Sequence, residues 1–546
     1  MFTCVLVYLF TATDNYMSKT EKYLLISWFL INLIIGLFIV HDYGISYDEP
    51  DYYLYAQNTV DAYKSFFALT YSPTFGPHDL PNYGPAFIIF PELVIRFLRL
   101  IFPNLVAADV WHFSYFFLFQ LGGSCLYSLA RRWFHPWSAW GILLLYTFQP
   151  LLWGHAFINP KDIPFMVFLL FTLWSGFRLA DSFGAQKIDV SFRLPKTYAF
   201  SFPRFTVKES IPFLRSPQVL LAGILLGMTM SIRLLGPLPG LIVILYLVFT
   251  LKQKSLPIII AYLICATVTM FITWPYLWPN PIDHWMDSLV LMVKFPWPAS
   301  VLFNSHFYKP DKLPLSYLPT LLNIQLTELL VALIYLGLAI FIYLILRKRI
   351  KLDLFLVLVI GAILPLTGLI VSRATMYDNF RQILFLLPQL ILLAGLALDW
   401  AFSVLKPTAL RLALLIVLAF PGVYAIIQLH PYQYVYYNSF VGGTGGALRK
   451  FELDYWFTAY SEAARWLNKN VPANAKIGGD GPTYLLDMYL RSDLKLPDKN
   501  NPNEQYDYFT STSRYNQDLT SYPDTKVIYS IERDGAVLTV IKQLSP

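Results

Sequence analysis

Eleven stretches of this 546-residue chain are long and apolar enough to cross a bilayer. A hydrocarbon core about 30 Å thick takes about 20 mostly apolar residues in helix. The runs lie at roughly 22–41, 109–130, 137–153, 163–180, 217–232, 236–251, 256–274, 325–346, 352–372, 382–402 and 409–429. The fifth and sixth are short, and only the break from Arg233 to Pro237 separates them. In lipid every backbone N–H and C=O has to be satisfied within the segment, so runs of this kind fold as helices. The expected fold is therefore an all-α polytopic membrane protein of about 11 transmembrane helices. Composition agrees: 56% of residues are hydrophobic and 14% charged, against about 45–50% and 25% in soluble domains. That excludes intrinsic disorder and an ordinary soluble enzyme, and no glycine period supports a collagen-like chain.

A further apolar run, Pro85–Ile101, carries Glu92, Arg96 and Arg99. One charged face suits a helix lying in the interface rather than crossing it. Segment 51–64 is read as a second interfacial helix.

The net charge of +7 is unevenly spread. Residues 1–450 hold 31 basic and 21 acidic side chains, and residues 451–546 hold 10 and 13. The basic residues sit in short loops between apolar runs, which speaks for a membrane and against nucleic acid. With residues 1–21 in the cytoplasm, the inner segments collect 19 basic and 7 acidic residues and the outer ones 12 and 14. That asymmetry obeys the positive-inside rule. It puts the N-terminus inside a cell (plasma or inner) membrane and the tail outside. The tail has no span. A helical pattern over Tyr455–Asn470 stops at Pro472, and Lys526–Ser530 and Val537–Gln543 read as strands around Glu532–Gly535. Two units are expected: a membrane module over 1–440 and a small extracytoplasmic α/β domain over 441–546.

Cys4, Cys125 and Cys265 all lie in apolar segments and show no metal-site spacing. The opening Met1–Phe10 is apolar but has no basic n-region and no cleavage site. It reads as a loosely attached leader or the product of an upstream start codon.

Ionisable groups near a membrane are costly, so where they gather is informative. Four outer clusters stand out: His41–Tyr53, Trp153–Phe165, Ser231–Arg233 and Arg373–Arg381. In the first, Asp48 and Glu49 are adjacent carboxylates pointing different ways. One can reach a reactant as a general base while the other holds the loop. The structural alternative is that both complement the dipole at a helix N-terminus. In the second, Asp162 can serve a site or cap a helix, Lys161 can bind an anion or snorkel, and His155 can be a ligand contact or a satisfied interface histidine. Pro160 and Pro164 shape that loop. Arg233 and Arg381 end apolar helices, and a guanidinium matches phosphate oxygens bidentately. Tyr432, Tyr434, Tyr436 and Tyr437 read as an interfacial aromatic belt. Two acidic loops and two arginines on one side form a candidate site for an anionic lipid.

At these residues the chain resembles the GT-C glycosyltransferases, and within them the protein O-mannosyltransferase branch that includes the aminoarabinose lipid A transferases. The resemblance lies in Tyr47-Asp48-Glu49 after the first run, Asn159-Pro160-Lys161-Asp162 before the fourth, and Tyr377-Asp378-Asn379-Phe380-Arg381 followed by Leu386-Leu387-Pro388. It covers about residues 22–402 and implies two juxtamembrane helices in the first outer loop, matching segments 51–64 and 85–101. It implies an inverting, direct transfer of a monosaccharide from a polyprenyl-phosphate donor to a hydroxyl of a lipid, glycan or protein. Asp48 matches the catalytic base, with Glu49 second, and Asp162 matches the second acidic position. Lys161, Arg233, Arg381, Tyr377 and His155 become candidates for binding the substrate. Related enzymes differ in their use of divalent metal, and no ligand set is evident here, so cofactor and metal stay unassigned. The long loop 181–216, rich in proline and basic residues, departs from the family pattern and suits contact with anionic headgroups.

Three other readings stay open. A flippase for lipid-linked sugars favours internal repeats and broken helices; the one broken segment is around Gly236–Gly240. A glycan polymerase or ligase would place its chemistry in loop 275–325, which holds His284, His306 and Lys309. A scaffold would tolerate neutral substitutions at Asp48 and Asp162.

Overall fold

A computed structural model of the chain describes residues 17–68, 79–184, 207–293, 295, 297–496 and 505–544. The leader Met1–Phe10, Cys4 and most of loop 181–216 lie outside the described residues.

Each of the eleven apolar runs lies on helix. Among the described residues seven helices are long and apolar enough to cross a membrane, or eight when one bent pair counts as a single span. The shortfall from eleven has physical causes. Pro217–Met230 is short. Ala107–Ala130 is long, but it buries His112, Gln120 and three serines inside the bundle. The stretch Pro237–Thr273 passes as one segment yet is interrupted at Lys252, whose φ of +52° ends the first of its two helices.

The first helix, Lys19–Ile39, starts at a capping box in which Ser18 and Glu21 exchange hydrogen bonds. The third run is not one straight span. Pro136–Thr147 and Pro150–Ile158 meet at 57°. Pro150 lacks an N–H and clashes with the preceding turn, so the helix restarts there. In consequence His155, read as part of a loop, is helical.

Helices Asp162–Ser182 and Arg381–Val404 form the middle of the bundle, 94% and 89% buried over their apolar windows. Lys19–Asp42, Glu328–Leu346 and Thr408–Gln428 bury less than a third and turn leucines, isoleucines and phenylalanines outward, as a lipid-facing ring does. Asp162–Ser182 spans about 30 Å end to end at 1.5 Å per residue. At its far end Arg132 ties Asp181, Asp353 (2.5 Å) and the Tyr246 hydroxyl (2.9 Å) together. At its near end lies the candidate site, together with the sheet domain.

Two juxtamembrane helices follow the first span, Glu49–Phe67 and Ile89–Arg99. The segment before Glu328 holds the helix Pro281–Val293, a short hairpin of β1 (Val301–Phe303) and β2 (His306–Tyr308), and the helix Tyr317–Ile324. The C-terminal part is a four-stranded sheet in the order β3-β4-β6-β5, with β3 Ile477–Gly479, β4 Tyr508–Thr512, β5 Lys526–Arg533 and β6 Ala536–Gln543. β3 pairs parallel to β4; the other pairs are antiparallel. Helix Tyr460–Asn470 packs against β6.

The tyrosine run is not an interfacial belt. Tyr432, Tyr434 and Tyr437 are fully buried. Their hydroxyls donate to Glu462 (2.8 Å), Asp454 and the Glu452 carbonyl (2.9 Å). A buried phenol needs a partner for its O–H, and here the partners come from the segment leading into the sheet domain. The run is the joint between the last membrane helix and that domain.

Candidate active site

Asp48 and Glu49 sit at the start of helix Glu49–Phe67 and diverge. Glu49 is fully buried and saturated. Its carboxylate accepts from the Ser46 N–H (2.7 Å) and the Tyr53 hydroxyl (2.9 Å), and it faces His112 Nε2 at 3.1 Å. Asp48, the N-cap residue, makes no capping bond with its side chain. Its Oδ2 instead accepts from Arg381 Nη1 at 2.8 Å. The helix-dipole reading therefore suits Glu49, and Asp48 is left to face another part of the chain.

Arg381 is buried. Its guanidinium lies over the rings of Trp456 (4.9 Å) and Tyr377 (5.3 Å). Its second nitrogen, Nη2, reaches Asp378 Oδ2 at 3.4 Å. The Tyr377 ring stacks flat on Trp297, centroids 4.0 Å apart, and burial pushes its phenol up to about 12. Asp378 and Asn379 both take the left-handed conformation, at φ +55° and +57°. That is uncommon for residues other than glycine, though Asp and Asn tolerate it best. It aims Asp378 at Arg381, while Asn379 Nδ2 donates to the Glu452 carbonyl (2.8 Å).

The second acid is held from behind. Asn159 Oδ1 accepts from the N–H groups of Lys161 (3.1 Å) and Asp162 (2.8 Å), and its Nδ2 donates to Asp162 Oδ2 (3.1 Å). Its Nδ2 also reaches His155 Nδ1 (3.2 Å), and His155 Nε2 meets the Tyr455 hydroxyl (3.0 Å). Asp162 Oδ1 pairs with Arg233 Nη2 at 2.7 Å, and Arg233 Nη1 donates to the Gln382 carbonyl (3.0 Å). Lys161 Nζ lies 4.2 Å from the centre of the Tyr83 ring. Burial lowers its amine to about 8, and Arg233 and Arg381 add to the effect against Asp162 and Asp48.

Tyr83 is brought to Arg233 by Gly84, where a Cβ would lie 2.0 Å from the Ser231 carbonyl oxygen; only glycine permits that approach. A cavity of about 450 Å³ opens beside these groups, lined both by Tyr83, Arg233, Tyr377 and Gln382 and by the apolar Leu235, Met292, Leu369 and Phe385. Its lining is amphipathic: a guanidinium and phenols together with hydrocarbon side chains.

The chain thus brings Asp48, Asp162, Lys161, Arg233, Tyr377 and Arg381 into one neighbourhood. Glu49 and His155 stand behind it and hold the loops. Among the described residues no three His, Cys, Asp or Glu side chains gather as a metal-binding group. His284 stacks on Tyr276, and His306 is exposed on β2; neither joins the cluster. Sequence reasoning missed Tyr83, Trp456 and Arg514. Tyr83 had a local signal in the Tyr-Gly pair before the interfacial run; Arg514 had none.

No family model matches the chain, and no curated protein does. Solved structures resemble it over nearly its whole length. ArnT from Cupriavidus metallidurans in the apo state is 14% identical with a TM-score of 0.49, the match covering 95% of this chain and 97% of that one. The same protein bound to undecaprenyl phosphate gives 13% and 0.46, over 96% and 98%. The archaeal oligosaccharyltransferase AglB from Archaeoglobus fulgidus, in complex with an inhibitory peptide and a dolichol-phosphate, gives 14% and 0.45, over 90% of this chain and 62% of that one.

Proposed function

We propose that the chain is an inverting glycosyltransferase that moves a monosaccharide from a polyprenyl-phosphate donor to a hydroxyl acceptor, at the outer face of a cell membrane. The observation that carries this is the Asp48–Arg381 pair, joined across the bundle close to a cavity lined by both polar and hydrocarbon side chains. A phosphate leaving group departs as an anion and needs positive charge held where that charge develops. An acceptor hydroxyl needs a base within hydrogen-bond reach. A lipid-linked phosphate needs both a cation and a greasy surface, and the cavity lining holds Arg233 together with leucines, methionines and phenylalanines.

In this reading Asp48 takes the proton of the acceptor hydroxyl as its oxygen bonds to the anomeric carbon. The bond from that carbon to the phosphate oxygen breaks, and configuration inverts. The polyprenyl phosphate leaves against Arg381, Arg233 and Lys161. Asp162 orients Arg233, and Tyr377 walls the sugar. Residues 1–440 form the catalytic membrane module, with the N-terminus cytoplasmic, and residues 441–546 form an extracytoplasmic domain.

The test is transfer by purified protein. A panel of radiolabelled undecaprenyl-phosphate monosaccharides is supplied with membrane extract as acceptor. Transfer by the wild type that is lost in folded Asp48→Asn supports the reading. Undiminished turnover in Asp48→Asn, or no transfer from any donor, overturns it.

A further inference from the structure

One of the side chains by which the C-terminal part of the chain reaches the cluster is Arg514. Arg514 follows β4 and is buried. Its Nη2 donates to Asp378 Oδ1 at 2.8 Å, and its Nη1 donates to the Tyr455 carbonyl. Asp378 is therefore shared by two guanidiniums. Arg514 holds one oxygen tightly, and Arg381 holds the other at the looser 3.4 Å. Arg381 in turn keeps its short contact, 2.8 Å, for Asp48. The order of distances matters. A buried carboxylate beside a single guanidinium draws it into a close, often bidentate pair. With Arg514 satisfying Asp378 from the far side, Arg381 is left to reach across to Asp48.

The backbone supports the same arrangement. Tyr515 and Asn516, directly after Arg514, are left-handed at φ +57° and +58°, as is Phe457 at +57° near the Tyr455 carbonyl. Strained positions of this kind persist only where the surroundings over-determine them. The Tyr455 side chain continues the link, because its hydroxyl meets His155, which holds Asn159, which holds Asp162. Both acids of the cluster are thus braced from the C-terminal part of the chain.

We propose that Arg514 is a positioning residue for Arg381: by occupying Asp378 it keeps the Arg381 guanidinium on the Asp48 side of the cluster, so that the C-terminal domain completes the reaction centre. This rests on the reading of Asp48 and Arg381 as that centre. Among the described residues, the charged groups that bear on Asp378 are Arg381, Arg514, Asp48 and Glu452, so loss of Arg514 leaves Arg381 as the close cation for that carboxylate. Arg381 then closes on Asp378 and withdraws from Asp48.

Two variants test it, Arg514→Met and the double Asp378→Asn/Arg514→Met, which removes both charges of the pair and so leaves no stranded acid. The readouts are transfer from whichever undecaprenyl-phosphate sugar the wild type uses, and side-chain density from electron cryo-microscopy. The expected result for Arg514→Met is a fall in kcat on the order of 10- to 100-fold, the scale of an ångström-sized misplacement. KM for the donor changes less, and the Arg381–Asp48 contact opens. The double variant regains most of the rate and the contact. Full activity in Arg514→Met, or lost activity with the contact intact and no recovery in the double variant, overturns the inference. If no donor is turned over by the wild type, the proposed function fails, while the density still decides whether Arg514 positions Arg381. Should Arg514→Met not fold, the double variant carries the test: an Arg381 that leaves Asp48 there overturns the proposal.

Discussion

Asp48 and Arg381 lie 333 positions apart in the chain, and 2.8 Å separates their charged atoms. Neighbouring Glu49 turns the other way into a saturated buried site. The two acids should therefore fail differently. Asp48→Asn keeps the fold and lowers transfer by about 100-fold or more, the range of a lost general base. Glu49→Gln cannot satisfy the same set of donors and loses about 1–3 kcal/mol of stability, the cost of an unmet buried hydrogen bond. Thermal melts beside transfer rates separate the two effects.

The Asp162–Arg233 pair predicts an asymmetric mutant cycle. Both side chains are largely buried, 3% and 14% exposed. Arg233→Met strands a carboxylate beside Asn159 and should cost about 3–5 kcal/mol, whereas Asp162→Asn/Arg233→Met removes both charges and should recover much of it. The check is the melting temperature of the two single variants and the double. A double variant as unstable as Arg233→Met would show that the pair is not the source of the loss.

Much of this was legible in the sequence because bilayer burial leaves so little freedom. Runs of about 20 apolar residues have helix as their one outcome, and acids beside them stand out against hydrocarbon. Asp48, Asp162, Arg233 and Arg381 were all found that way. What stayed hidden depends on contacts between distant segments. The 57° bend at Pro150 follows from a proline whose effect on a helix, kink or restart, is set by what packs beside it. Tyr432, Tyr434 and Tyr437 have the composition of an interfacial belt, and only the nearness of Glu462, Asp454 and Glu452 makes them a joint. Arg514 lies in a polar tail where a charged residue carries no signal, and its burial exists only once β4 docks near Asp378.

Lys161 makes the site sensitive to alkaline pH. Burial brings its amine down to about 8, so it is charged below that value and neutral above it. The phosphate of a carrier lipid is already anionic there, and its second ionisation, with a pKa of about 6, is largely complete by pH 7. Affinity for undecaprenyl phosphate should therefore fall as pH rises through about 8. The loss should be roughly tenfold, near 1.5 kcal/mol for a charged hydrogen bond. Lys161→Met should bind more weakly at neutral pH and show no such step. Binding isotherms between pH 7 and 9 measure both.

Glu452 predicts the opposite kind of experiment, on stability alone. It is buried. Burial pushes its acid from 4.5 up to about 8, against the pull of Arg514. The folded protein thus keeps this proton up to about pH 8, while the unfolded chain gives it up near 4.5. Between those values the folded state binds more protons, so stability falls as pH rises, by at most about 1.4 kcal/mol per unit. The contribution is fully present below pH 4.5 and lost above about 8. Glu452→Gln is neutral at every pH and should flatten the slope and raise the melting temperature at pH 8 more than at pH 5. A wild-type melting temperature that climbs from pH 5 to 8, or a Gln variant with the same slope as the wild type, would show that Glu452 is ionised in the folded protein and that Arg514 serves two acids at once.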